Sequence, residues 1–335
     1  MTDTDRNGII ICISRVYSDV NEIKGPEWYD FRVYKPVWNA PDDYYLIKKV
    51  GYGKYSSVFK AYWKKKVDVA VKILVPLDPK RYIKEIMILN NLAGGPNIVK
   101  QMDLILDPIT GIYSLVSEWV NFPDWKKLYQ SFTIDEVRLY LYKLLIALEY
   151  THSNGIMHRD IKPANIAVDR DSKELRLLDW GLADYYHPRN KYSSHVGTRA
   201  FKPPEVLFEY PYYDYSMDIW SSGITLTIML FRSIVLKHGS DDDDQLIKIA
   251  DILGGQDIID YAQSLNMKLS KSLISDLKKR TGKGWESFAN PNAPEKIPPD
   301  AFDILKKMTI IDHRKRITAK EAMMHPFFDS VREKK

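Results

Sequence analysis

His158-Arg159-Asp160-Ile161-Lys162-Pro163-Ala164-Asn165 sets the reading of the whole chain, because it places a proton acceptor, a cation and an amide oxygen along one short run. Asp160 can accept or orient a hydroxyl proton, Lys162 can sit over a transferring phosphoryl group, and Asn165 offers a neutral oxygen to a hard cation such as Mg²⁺. The run reads as a catalytic loop. Asp, Lys and Asn are also common in solvated turns, so the octapeptide alone admits a plain turn before a strand.

Working outward, Ile166 to Val168 and Leu175 to Leu178 predict a short hairpin that leads into Asp179-Trp180-Gly181, a second carboxylate in metal-binding position. On the other side, Thr133 to Asn154 keeps Val137, Leu141, Leu144, Leu145 and Leu148 on one helical face. Thr133 is the expected N-cap, with Asp135 and Glu136 in the first turn, and Asn154-Gly155 ends the helix. Farther upstream the pattern alternates and is β-branched: Tyr44 to Val50, Ser57 to Trp63 and Val67 to Leu74 predict an antiparallel meander. Gly51 and Gly53 in its first turn allow backbone amides to approach phosphates closely. A helix over Lys80 to Leu92 carries Glu85, and strands over Ile98 to Leu106 and Tyr113 to Trp119 lead to a hinge at Glu118-Trp119-Val120-Asn121.

The 335 residues exceed what one hydrophobic core usually serves, and the 45% hydrophobic content is ample for two lobes. A single cysteine, Cys12, rules out an intramolecular disulfide and fits a reducing compartment, so cytoplasm and nucleus are expected. The acidic start at Thr2-Asp3-Thr4-Asp5 is unlike a secretory signal, and the longest later apolar run, Ile224 to Phe231, falls far short of a membrane span. The net charge of +5 is spread through 49 basic and 44 acidic residues, so neither nucleic acid nor membrane is demanded. Residues 1 to about 40 are rich in Tyr and Trp, which predicts that this segment docks on the body of the protein.

In this order the motifs resemble those of eukaryotic protein kinases: the glycine turn, Val69-Ala70-Val71-Lys72, Glu85, the loop with Asp160, Asp179-Trp180-Gly181, and Pro203-Pro204-Glu205. The resemblance covers essentially residues 40 to 330. It implies an α+β bilobal fold with a β-rich N-lobe holding one main helix and a mostly helical C-lobe. The divisions expected are a docking segment (1–43), the N-lobe (44–118) and the C-lobe (119–335), with an insert at 240–299. The catalytic set implied is Asp160, Lys162, Lys72 and Glu85, with Asn165 and Asp179 on the metal. The nucleotide-binding set is Val50, Gly51, Tyr52, Gly53, Lys54, Tyr55, Ser56, Ser57 and Val58, then Val71 and Lys72, then Ser117, Glu118 and Val120. Asp218 is expected to anchor the catalytic-loop backbone, and Arg316 to pair with Glu205.

Gly51 to Phe59, Gly94-Gly95-Pro96-Asn97-Ile98, Trp180, Tyr186-His187-Pro188 and Tyr213-Asp214-Tyr215-Ser216 are more closely similar to the casein kinase II catalytic-subunit family. That resemblance implies a Ser/Thr kinase that uses Mg²⁺ with ATP or GTP and is constitutively active. It also implies acidic substrates, read by Lys80, Arg81, Lys84, His195, Arg199 and Lys202, and a regulatory beta-subunit dimer bound through Tyr44, Leu46 and Phe59. The chain departs from that family at His195 to Arg199, at Pro203, at Ser117 and at Asp78-Pro79. A weaker acidic preference than the family norm is therefore expected. A proline-directed or other specificity, and a pseudokinase scaffold, stay open as alternatives.

Overall fold

The computed structural model describes residues 3–53, 56–75, 80–121, 123–292 and 295–332, with backbone alone at Lys80 and Arg81. Two short helices, α1 (Val20–Lys24) and α2 (Pro26–Tyr29), precede the small lobe. That lobe comprises β1 (Tyr44–Tyr52), β2 (Ser56–Trp63), β3 (Val67–Leu74), α3 (Lys80–Asn91), β4 (Gln101–Leu106) and β5 (Tyr113–Glu118). Its antiparallel sheet runs β1-β2-β3-β5-β4. Period-two alternation gives the sheet two faces. Val69 and Val71 pack with Ala61, Ile105 and Val116 on one, while Leu74, Leu104 and Leu115 pack against Tyr82 and Ile86 of α3 on the other. The predicted strand from Ile98 begins only at Gln101, because Ile98 and Val99 turn away to bond Leu177 of the large lobe.

The large lobe is built on α5 (Ile134–Ser153) and α7 (Ser216–Phe231). Thr133 and Glu136 form a reciprocal capping box at the start of α5, satisfying two backbone amides that the helix itself leaves unpaired. Every residue of α7 from Met217 to Leu230 is buried, so this helix is enclosed on all sides, its polar residues Asp218, Ser221, Ser222, Thr225 and Thr227 included. Around the pair lie α4 (Trp125–Gln130), the hairpin β7 (Ile166–Asp169) and β8 (Glu174–Leu177), the bridge between β6 (Ile156–Met157) and β9 (Asp184–Tyr185), and α6 (Pro204–Leu207). The set closes with α8 (Asp242–Leu253), α9 (Gly255–Ser264), α10 (Lys271–Leu277), α11 (Pro299–Met308) and α12 (Ala319–Met323). The stretch expected as an insert sends Leu246, Ile249, Ile258, Leu273 and Leu277 into the same continuous core as α5 and α7. It is therefore integral to the packing of the lobe. The architecture is the α+β, two-lobed one that the resemblance implies.

The N-terminal segment lies across both lobes. Asn39 pairs with β4 through Asn39 N to Leu104 O (2.8 Å) and Leu106 N to Asn39 O (3.0 Å), covering an edge that would otherwise present unpaired amides. Trp38 packs on Tyr82 and Tyr113, and Trp28 Nε1 donates to Asn154 O at the end of α5. Lower down, Lys191 pairs with Asp5 at 2.6 Å and Arg15 Nη1 donates to Glu321 Oε1 at 2.7 Å. The bond from Lys191 brings the Asp5 carboxyl from an ordinary 3.8 down to about 2, and the bond from Arg15 brings Glu321 from 4.5 to about 2.

A depressed carboxylate contributes attachment that is fully present above its ordinary pKa and lost as pH falls toward the lowered one. Cleavage of the segment by an acid-tolerant protease should be unchanged between neutral pH and about 5, then accelerate as pH falls from about 4.5 toward 2. Added salt should raise cleavage at neutral pH and flatten that acceleration, because screening weakens the pairs whose loss drives it.

Candidate active site

The catalytic-loop backbone is held by one carboxylate. Asp218, fully buried in the first turn of α7, accepts His158 N on Oδ2 and Arg159 N on Oδ1, both at 2.8 Å, and His152 Nε2 lies 3.0 Å from Oδ2. Burial alone would raise its pKa, but the His152 bond, the nearby histidines and the backbone amide outweigh that and hold it below the usual carboxylate range. Aiming two successive amides at one carboxylate puts Arg159 in the left-handed region, at φ 67°. Its side chain offsets that strain by pairing with Asp184 (2.9 Å) and donating to Leu182 O (2.7 Å) and the Tyr213 hydroxyl (3.3 Å). His158 accepts from Asp160 N on Nδ1, and its Nε2 lies 3.0 Å from Leu178 O, which assigns the ring hydrogen to Nε2.

Asp160 is thereby presented with its carboxylate surrounded by donors. Oδ2 accepts from Lys162 Nζ (2.7 Å) and Asn165 Nδ2 (3.1 Å), and Oδ1 accepts from the Thr198 hydroxyl (3.0 Å). Lys162 Nζ also donates to Thr198 Oγ1 at 2.9 Å, closing a ring of three polar side chains. Gly197 before Thr198 has φ 72°, and a Cβ there would lie 2.7 Å from Arg159 O. Only glycine lets the activation segment approach the loop this closely.

Opposite this ring, Lys72 of β3 joins the lobes. Its Nζ lies 2.7 Å from Glu85 Oε1 on α3 and 3.0 Å from Asp179 Oδ1. Burial would discharge the ammonium, but Glu85 and Asp179 reverse that and hold its pKa well above the ordinary lysine value. Lys72 in turn draws the Asp179 carboxyl down, while burial pushes Glu85 up against the pull of Lys72. Trp180 packs edge-on against His158 at 4.7 Å and donates to Leu177 O at 3.3 Å, so the backbone beside Asp179 is anchored in the large-lobe core.

The strand register sets Gly51 opposite Val58 and Val58 opposite Lys72, so the first turn, Val58 and the lysine share one face of the sheet. Val71, expected in the nucleotide set, belongs to the core on the other face; by the same alternation the residue beside Lys72 on the cleft side is Ala70, which pairs with Ser117. Ser56 and Ser57 lie half-buried on β2, while Val50, Tyr52 and Gly53 are exposed. Lys54 and Tyr55 lie outside the described residues. At the hinge the Glu118 carboxylate is taken by Lys100 N (2.9 Å) and Arg176 (3.1 Å), leaving Val120 half-buried beyond it.

The family model for the protein kinase domain matches residues 44–328. The chain belongs to the protein kinase domain family. Kinases of this family use ATP with Mg²⁺, and the donor set here suits such an ion. Asn165 commits its Nδ2 to Asp160 O (2.8 Å) and Oδ2, which leaves its amide oxygen as an acceptor. The Asp179 carboxylate is half exposed, with one oxygen on Lys72. Two oxygen donors match a hard cation that keeps several waters and takes its other ligands from phosphates.

Of the residues expected to read acidic substrates, Lys84 pairs with Asp184 at 2.9 Å and Arg199 pairs with Asp242 at 2.8 Å. Lys202 donates to Ser194 O at 2.9 Å, and His195 is exposed. The side chains of Lys80 and Arg81 lie outside the described residues. Tyr44, expected at a partner surface, donates its hydroxyl to Asp103 at 2.6 Å and packs on the small-lobe core, Phe59 is half-buried, and Leu46 is exposed. Thr198 and Ala70 are the site residues that sequence reasoning left out. The signal for Thr198 was its place directly after Gly197, where a close backbone approach exposes the next side chain to the loop.

Asp218 needs both carboxylate oxygens for its two amides, and an asparagine offers only one. Asp218→Asn should lower kcat by about 10²-fold through misplacement of Asp160. Steady-state kinetics on folded variant, with KM for ATP changed far less than kcat, is the check.

Proposed function

We propose that the protein is a Ser/Thr kinase of casein kinase II catalytic-subunit type, transferring the γ-phosphoryl of ATP or GTP to Ser or Thr in acidic contexts. The observation that carries the reading is the ring of Asp160, Lys162 and Thr198. It fixes the Asp160 carboxylate beside Lys162, where an aliphatic hydroxyl of a substrate would be met. Asp160 then orients that hydroxyl and takes its proton, and Lys162, 2.7 Å from Asp160 Oδ2, neutralises charge gathering on the phosphoryl oxygens. Lys72, kept charged by Glu85 and Asp179, is the group for the inner phosphates. Asn165 and Asp179 would hold Mg²⁺, which when bound supplies further charge neutralisation and orients the phosphates.

Constitutive activity is supported by the N-terminal segment. Asn21 Nδ2 donates to Gly155 O and Tyr186 O, both at 2.7 Å, and Ser14 N donates to the Tyr186 hydroxyl at 2.8 Å. Tyr29 packs edge-on to His187 at 4.5 Å. The start of the activation segment is thus tied down by contacts that require no phosphate. A beta-subunit dimer docking on the outer small-lobe face is part of the same reading; exposed Tyr45, Leu46 and Ile47 on β1 support it. Size-exclusion chromatography with that subunit tests it, and a chain that stays monomeric rejects it.

Asp160→Ala and Lys72→Met should each reduce turnover by at least about 10³-fold, since no neighbour can replace either charge. Near wild-type turnover in either removes the catalytic assignment. Unphosphorylated protein made in bacteria should phosphorylate Ser peptides carrying Asp or Glu at the third following position, and excess GTP should compete with ATP. Equal rates on acidic, neutral and proline-containing peptides would leave a protein kinase but reject the casein kinase II type. Inactivity relieved by an upstream kinase acting on Ser194 or Thr198 would reject constitutive activity.

A further inference from the structure

The two cations at the end of the activation segment have a partner supplied by the chain itself. Arg199 Nε donates to Asp242 Oδ1 at 2.8 Å, and its Nη1 donates to Gly239 O (3.0 Å) and Ser240 O (2.9 Å). Lys202 Nζ, mostly buried, stands 3.9 Å from Asp242 Oδ2. Asp242 opens α8, which Asp241 caps through Asp244 N and which packs on both the 199–201 turn and α6. The carboxylate is therefore set in place by the packing of the large lobe rather than by a free side chain.

The location gives this pairing a consequence. Thr198 touches Asp160, so Arg199 is one residue removed from the group that meets the reacting hydroxyl. A substrate residue adjoining the target Ser or Thr passes beside it. We propose that Asp242 is a specificity-determining residue that occupies the cation pair Arg199 and Lys202, so that the position directly after the target hydroxyl carries no acidic preference. This rests on the proposed Ser/Thr kinase reading, with Arg199 next in the chain to Thr198 and Lys202 sharing its carboxylate. A carboxylate held within the fold loses no translational freedom on pairing, whereas one arriving on a peptide must displace it and gains only an equivalent set of charge-assisted bonds. Acidic selection is then left to positions farther along the substrate.

The test uses full-length protein and three Ser peptides, identical with Asp at the third following position and differing only in Asp, Ala or Lys directly after the Ser. The quantity read is the ratio of kcat/KM for the Asp peptide over the Ala peptide, from which the active fraction of any preparation cancels. Wild type should give a ratio within about threefold of one. Asp242→Asn should raise it by about tenfold, because Arg199 and Lys202 become available to the peptide. Asp243→Asn makes the same charge change on an exposed neighbour and should leave the ratio where it was. Fluorescence anisotropy with the labelled Asp peptide should show correspondingly tighter binding to Asp242→Asn, whatever its turnover. A wild-type ratio near ten, an unmoved ratio in Asp242→Asn, or an equal rise in Asp243→Asn would each overturn the proposal. A protein that phosphorylates no Ser peptide, or ignores the third position, would instead overturn the reading beneath it.

Discussion

A carboxylate with no access to water, Asp218, is the constraint on which the active-site geometry rests. Removing its charge from solvent is costly, and the cost is offset by two backbone amides and an imidazole brought to hydrogen-bond distance. Its place in the first turn of α7 adds the favourable end of the helix dipole. The same turn receives Arg316, which donates to Ser216 O and makes a two-pronged pair with Glu205 at 2.7 and 3.1 Å. One end of one buried helix thus positions both the catalytic loop and the close of the activation segment. Arg316 and Glu205 are fully buried, so either alone would leave an uncompensated charge in the core.

The small lobe is coupled to that frame by charge. Lys72 reaches Glu85 within its own lobe and Asp179 from the other, in surroundings where burial works against ionisation and each partner restores it. Moving α3 away would leave Lys72 with Asp179 alone and Glu85 with none of its cation. The N-terminal segment opposes such a movement mechanically. Asn91 of α3 donates to Trp28 O and to the Tyr185 hydroxyl, so segment, helix and activation segment meet at one side chain. Gly155 sits against the Asn21 side chain at φ 76°, where a Cβ would lie 2.7 Å from the amide. The glycine that ends α5 is therefore also the seat of the segment.

Much of the site was legible because its signals are local. The Thr133 capping box, the alternation around Lys72 and the spacing of Asp160, Lys162 and Asn165 each depend on residues a few positions apart, and local backbone geometry dictates where such side chains go. The assignment of Val71 to the nucleotide set failed on the same alternation, since adjacent strand residues cannot both face the cleft. Lys84 and Arg199 were harder. Their types and positions read as available charges, yet each is already paired, with Asp184 and Asp242, partners far away in the sequence.

The amino-acid sequence by itself determined the order of strands and helices and supplied the short motifs whose residues meet around Asp160, because periodicity and local spacing encode those directly. Tertiary structure alone decided which charges are spent inside the protein and which remain for a substrate. Whether a lysine or arginine is free depends on where a carboxylate tens of residues away is carried by the packing of another element. No local spacing records that, and Arg199, paired with an aspartate 43 residues away, is the case in point.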